Sequence, residues 1–341
     1  MQHKAQTTQH RFSLKLLLLV ILCSLSIPSM AWGFWAHQRI NRLAVFTLPA
    51  EMMPLFKANI EYLTAHAVDP DKRRYAIKEE APRHYIDLDH FCVFPCKDFP
   101  HYWKAAVAKY TEDTLNSYGI VPWHIVVMTN RLTDAFREKD KNKILKTAAD
   151  LGHYVADAHV PLHTSENYNG QMTNQVGIHG FWESRVPELL GENYDYFVGK
   201  AALIKKPNDW IWEIVMSSHQ ALDTVLGFEK KLSASFPLDR TYSYEQRGET
   251  NVKVFSEEYT KAYDKMMGDL VERRLRASVY DVGSIWYTCW VNAGQPDLSK
   301  LEDKPLSPQE KQQEQEEEKL WRQGGKQFGR PHDETGKDGV K

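Results

Sequence analysis

Apolar residues recur every third or fourth position through most of the chain, and strand-like alternation is scarce. In "KNKILKTAADLGHYVADAH", Ile144, Ala148, Leu151 and Val155 keep helical spacing until Pro161 ends the run. Phe255, Tyr259, Ala262, Met266 and Leu270 keep the same period in "VFSEEYTKAYDKMMGDL". "PAEMMPLFKANIEYLTAHA" predicts a helix opening near Pro49, and "HYWKAAVAKYTEDTLNSYG" one that stops at Gly119. The expected fold class is mainly α, with a single multi-helix domain over residues 32–305 and no internal repeat.

The two ends depart from this pattern. Residues 1–31 carry Lys4, Arg11 and Lys15 but no acid, then the apolar run "LLLLVILCSL" and a small-residue ending at Ala31. That is the layout of a cleavable signal peptide, and its apolar stretch is short for a membrane span. No small residue directly precedes Cys23, which argues against lipid attachment there. Cleavage after Ala31 makes Trp32 the new N-terminus, leaves no stable membrane anchor and implies a periplasmic or secreted protein. Residues 306–341 are rich in Gln, Glu, Lys and Gly and poor in aliphatics, so a polar disordered tail or surface appendage is expected.

Losing the three signal-peptide cations takes the formal charge from −2 to −5, which gives no electrostatic case for clamping duplex nucleic acid. Cys92 and Cys96 are close enough to pair in an oxidising compartment, with a metal pair as the alternative, and Cys289 is left odd.

Candidate chemistry lies with the histidines. His153 and Asp157 stand four apart on one helical face, and His163 follows directly after the helix stop. His179 and Glu183 repeat the four-residue spacing in "GIHGFWESR". Imidazole and carboxylate sets of this kind suit zinc. The chain has no H-E-x-x-H, no G-x-S-x-G and no phosphate-binding loop, and its one His-Asp pair, His332-Asp333, falls in the polar tail.

These residues resemble the superfamily that joins zinc-dependent bacterial phospholipase C to the S-one/P-one type single-strand nucleases. The resemblance implies a helical domain with a trinuclear zinc cleft and covers Trp32 to Glu183. It implies nine ligands: Trp32, through its free amine and carbonyl, with His37; Asp69, His84 and His153; Asp157 as a bridge; and His163, His179 and Glu183. Asp69 fits the nuclease spacing of fifteen residues before His84, and Asp71 is the competing choice. Three zinc ions are the implied cofactors, and a water acidified between two of them is the implied nucleophile. Asp69, Asp157 and Lys72 are the expected catalytic residues, with Lys72 holding the phosphate. His66, His124 and His159 are expected to be structural or to support the ligands.

The substrate is less sharply marked. Tyr85 and Asp87 match the nuclease positions for base stacking and base-edge recognition, and stacking suits single strands. The short span between His163 and His179, and a Glu at 183, resemble phospholipase C, although Pro70 stands where choline-preferring members carry an aromatic. The expected function is a phospholipase C-like phosphodiester hydrolase, with phospholipid as substrate. Alternatives are a single-strand nuclease or 3'-nucleotidase acting on nucleic acid or nucleotide, and a non-catalytic zinc-binding surface protein. No partner protein is implied.

Overall fold

A computed structural model describes residues 33–247, 250–301, 304–324 and 326–330, so the expected signal peptide and Trp32 lie outside the described residues. The longer helices are α1 (Phe34–Ala44), α2 (Val121–Arg137), α3 (Lys141–Ala158) and α4 (Pro207–Ser233). A hairpin of β1 (Tyr242–Arg247) and β2 (Thr250–Phe255) follows, paired antiparallel with Tyr242 opposite Phe255. Then come α5 (Glu257–Met267), α6 (Leu270–Asn292) and α7 (Pro308–Arg322). The mainly α expectation holds.

Helix α3 is the axis of the molecule. It begins where the Asp140 side chain accepts from the Lys143 amide at 3.1 Å, an N-cap that satisfies one orphan donor. It packs against α1, α2 and α6, and from Ala148 to Ala158 every residue is buried. A helix surrounded on all sides has no solvated face for polar groups, so Asp150, His153 and Asp157 must find partners inside. Trp286 of α6 closes the packing by donating its indole N–H to the Ala148 carbonyl at 2.9 Å.

Where α1 crosses α3, a Cβ built on Gly152 would stand 2.1 Å from Asn41 Oδ1. The Asn41 amide, fully buried, donates to the Ala149 carbonyl at 3.0 Å. Gly152→Ala would turn that amide away or push the helices apart. It gains about 1 kcal/mol of helix propensity but incurs about 1–3 kcal/mol of overpacking and the loss of a buried bond. The expected outcome is a net loss of stability in urea unfolding, with unchanged stability the contrary result.

Several expected helices are broken. The run opened by Pro49 instead begins at Met53, with Pro54 in its first turn, and divides into Met53–Ala58 and Ile60–Ala65. At the break the Asn59 side chain donates to the Leu55 carbonyl at 2.8 Å, the local competition that makes Asn a poor interior residue. The run ending at Gly119 divides at Thr111, whose φ is 69° and whose hydroxyl caps the second piece, Glu112–Tyr118. The 255–270 periodicity spans the end of β2, α5 and the start of α6, with Gly268 at φ 66° between the helices.

The C-terminal segment carries a further helix. Residues 308–322 form α7, opened by a capping box in which Ser307 and Glu310 exchange bonds. The composition argument holds in one respect, since α7 contributes no buried residue. Yet α7 packs on the short helix Asp69–Arg73, and Trp321 lies 6.2 Å from the Phe34 ring. Cys92 and Cys96 form a disulfide, and Cys289 is free and buried.

Candidate metal centre

Three groups of side chains converge beside α3. Ligand-type atoms within each of His37/His153/Asp157, Asp71/His84/His153 and His163/His179/Glu183 lie within 4.8 Å of one another. His153 and Asp157 come from α3 and His37 from α1. Asp71 comes from Asp69–Arg73 and His163 from the 3-10 turn Pro161–Thr164, which Pro161 forces out of the α3 axis. His179 and Glu183 span a change from an α turn at Ile178–Gly180 to a π-helical turn at Phe181–Arg185, a geometry found often at functional sites.

Asp157 faces two ways: Oδ1 lies 3.3 Å from His37 Nε2, and Oδ2 lies 2.9 Å from His84 Nδ1 and 3.3 Å from His153 Nε2. Glu183 Oε2 sits 3.1 Å from His163 Nε2 and 2.8 Å from His179 Nε2, while its Oε1 is 3.6 Å from His37. Among the described residues every ion pair of these two acids runs to a histidine.

The backbone fixes the rings. His153 Nδ1 is bonded to the Ala67 carbonyl at 2.9 Å, His163 Nδ1 to the His84 carbonyl at 2.5 Å, and His179 Nδ1 to the Tyr168 carbonyl at 3.2 Å. Each bond places the ring proton on Nδ1 and leaves Nε2 aimed at the carboxylates, the arrangement that orients metal-binding imidazoles.

Electrostatics follow from this crowding. Burial would raise the Asp157 carboxyl, but the His153 and His163 charges hold it well below the carboxylate range. Burial likewise opposes the charged form of Glu183, and His163 outweighs it to bring the carboxyl well down. Against the downward pull of burial, Asp157 raises both His153 and His163 to about 9. Nitrogen and carboxylate donors, buried, held by the backbone and converging in threes, fit zinc ions.

The structure brings Asp71, and not Asp69, to the histidines. Asp71 Oδ1 lies 3.7 Å from both His84 Nδ1 and His153 Nε2. Asp69 instead pairs outward with His66 at 2.5 Å and Lys72 at 3.2 Å. Two residues along a helix turn a side chain about 200°, so only one of the pair can face His84. A residue count carried across an irregular stretch does not preserve helical phase.

The remaining histidines lie off the centre. His159 Nε2 is 3.0 Å from Asp281, and burial lowers both His159 and His124, the latter to about 3. Behind His84 lies a buried network that sequence reasoning missed. Glu80, fully buried, stands 3.7 Å from His84 Nε2 and accepts from Tyr154 and from Arg83, the latter at 2.6 Å. Arg73 links it to Asp150 at 3.0 Å. Nothing in spacing marks Glu80, since it sits in an irregular 3-10 stretch, Lys78–His84.

Comparison with known proteins decides the family, because residues 36–225, more than half of the chain, match the model for zinc-dependent phospholipase C. The chain belongs to the zinc-dependent phospholipase C family. That is a family of zinc-dependent phosphoric ester hydrolases, and seven of the implied ligands, His37, His84, His153, Asp157, His163, His179 and Glu183, fall in the converging groups. Among solved structures similar to it is the alpha-toxin of Clostridium perfringens from an avian strain, SWCP, with a TM-score of 0.46 and 14% identity. The match covers 79% of this chain and 66% of the toxin chain. No curated protein sequence matches the chain.

Proposed function

We propose that the protein is a phospholipase C-like zinc phosphodiester hydrolase, exported by its N-terminal segment and acting on phospholipid. The observation that carries this reading is the triple convergence of backbone-oriented imidazoles on Asp157 and Glu183, together with the family match. Asp71, His84, His153 and Asp157 would hold one zinc. His37 and the other oxygen of Asp157 would hold a second, completed by the Trp32 amine and carbonyl. His163, His179 and Glu183 would hold a third. Zinc, when bound, supplies an acidified water as nucleophile at neutral pH and neutralises charge on the leaving oxygen.

The chain's own residues position these events. Asp157 presents its two oxygens to two different histidine sets, the geometry of a bridging carboxylate. Lys72, 3.2 Å from Asp69, supplies a cation for the phosphate beside the centre. Among the described residues no helix is long and apolar enough to cross a membrane.

Tyr85 and Asp87 face a common planar group, which favours a second reading, a single-strand nuclease. Hydrolysis of phosphatidylcholine and of single-stranded DNA by the zinc-loaded protein separates the two. Phospholipid turnover without DNA cleavage is expected, the reverse result selects the nuclease, and zinc binding with neither activity overturns both.

Zinc loading carries its own signature. His153 and His163, held at about 9 without metal, are protonated at neutral pH and must become neutral to ligate. Zinc binding is therefore expected to release protons and to weaken about tenfold per released proton for each pH unit below 9. Calorimetry at pH 7.5 in two buffers of different ionisation heat measures the release. Identical heats in both buffers would contradict it.

A further inference from the structure

Arg330, the last described residue of the C-terminal segment, lies against side chains that neighbour the metal centre. The Arg330 guanidinium carbon lies 3.6 Å above the Tyr85 ring centroid and 4.6 Å from that of Tyr168. One nitrogen pairs with Asp87, and another donates to the Ser165 carbonyl at 3.3 Å. The backbone around it is tied down as well: the Phe328 amide donates to the Arg74 carbonyl at 2.9 Å, and Arg74 donates to the Arg330 carbonyl.

The cage walls adjoin the metal centre on both sides. Tyr85 follows His84, Ser165 lies two residues past His163, and the Tyr168 carbonyl is the one that orients His179. Further back, Glu318 lies 3.7 Å from Lys72, and the Lys72 ammonium sits 4.9 Å from the Trp321 ring centroid. The three residues expected to handle substrate, Lys72, Tyr85 and Asp87, are thus all engaged by the chain's own C-terminal segment.

We propose that Tyr85, Asp87 and Tyr168 form a cation-recognition site at the mouth of the metal centre, and that Arg330 is its tethered occupant, so that the segment from Ser307 to Arg330 competes with substrate. Two aromatic faces and a carboxylate are what a guanidinium or quaternary ammonium requires. Asp87 is almost wholly buried with Arg330 in place, and the guanidinium supplies the charge partner that a buried carboxylate needs. Helix α7 can detach without opening the core, because it has no buried residue and is held by pairs such as Lys146–Glu314 at 2.6 Å, and release of Arg330 costs the bond from the buried Arg74. This strap hides the cage while remaining removable.

The catalytic readout rests on the phosphodiesterase reading; the cage itself does not. In the full chain, Arg330→Ala is expected to lower KM for 4-nitrophenylphosphorylcholine about tenfold, with little change in kcat, as removal of a tethered competitor does. Methylguanidinium should bind this variant in calorimetry and return KM toward the unsubstituted value. Adding Asp87→Asn should abolish that binding. An unchanged or raised KM, or no methylguanidinium binding, overturns the proposal. A gain confined to single-stranded oligonucleotide overturns the cationic class in favour of a base. If neither protein hydrolyses any phosphodiester, the functional reading fails, and methylguanidinium binding still decides the cage.

Discussion

Asp157→Asn is expected to bind fewer zinc ions than the unsubstituted protein and to lose about 10³-fold or more of its hydrolysis, the scale of a dominant electrostatic contribution. The physical reason lies in its two oxygens, 3.3 Å from His37 on one side and 2.9 Å from His84 on the other. An amide offers one weak oxygen donor and one N–H pair that repels cations, so it cannot bridge. Helix propensity at this position barely changes, and α3 should persist in circular dichroism. Zinc content by atomic absorption and turnover of bis(4-nitrophenyl) phosphate give the answer. Full occupancy with near-normal turnover would remove Asp157 from the centre.

The second large effect separates two neighbours. Asp71→Asn is expected to lose one zinc and about 10²-fold or more of activity, on the scale of losing a metal-held charge. Asp69→Asn should retain all its zinc, because Asp69 faces His66 and Lys72 rather than the histidine cluster. Its effect should stay within a few-fold, through the placement of Lys72. If the ranking is reversed, with Asp69→Asn losing metal, the geometry assigned to Asp71 is wrong.

Helices and the convergence of side chains were legible where one local period carried the information. His153, Asp157 and the stop at Pro161 are a short, regular stretch, and the structure places them as the spacing implies. Spacing alone favours Asp69 over Asp71, because the path to His84 crosses turns and a 3-10 stretch, where counting residues says nothing about direction. Glu80 and Tyr168 were invisible for a related reason, since their roles come from long-range packing. Arg330 was hidden by its composition. A polar segment that cannot form a core can still order itself against a surface that supplies the missing partners, here two rings and a buried acid. Thr111 and Asn59 broke expected helices through side-chain bonds to the local backbone, which hydrophobic periodicity does not register.

The contact between Phe34 and Trp321 has a practical consequence for anyone handling this protein. It brings the first described helix and the last onto one face, beside the metal centre. A label attached to α1 near Phe34 or to α7 near Trp321 would therefore sit beside the metal centre. Such a label would disturb the protein and report on it at once. A dye on α7 and a quencher introduced near Tyr85 would sense strap opening directly, whereas a label chosen only for convenience could hold the strap in place.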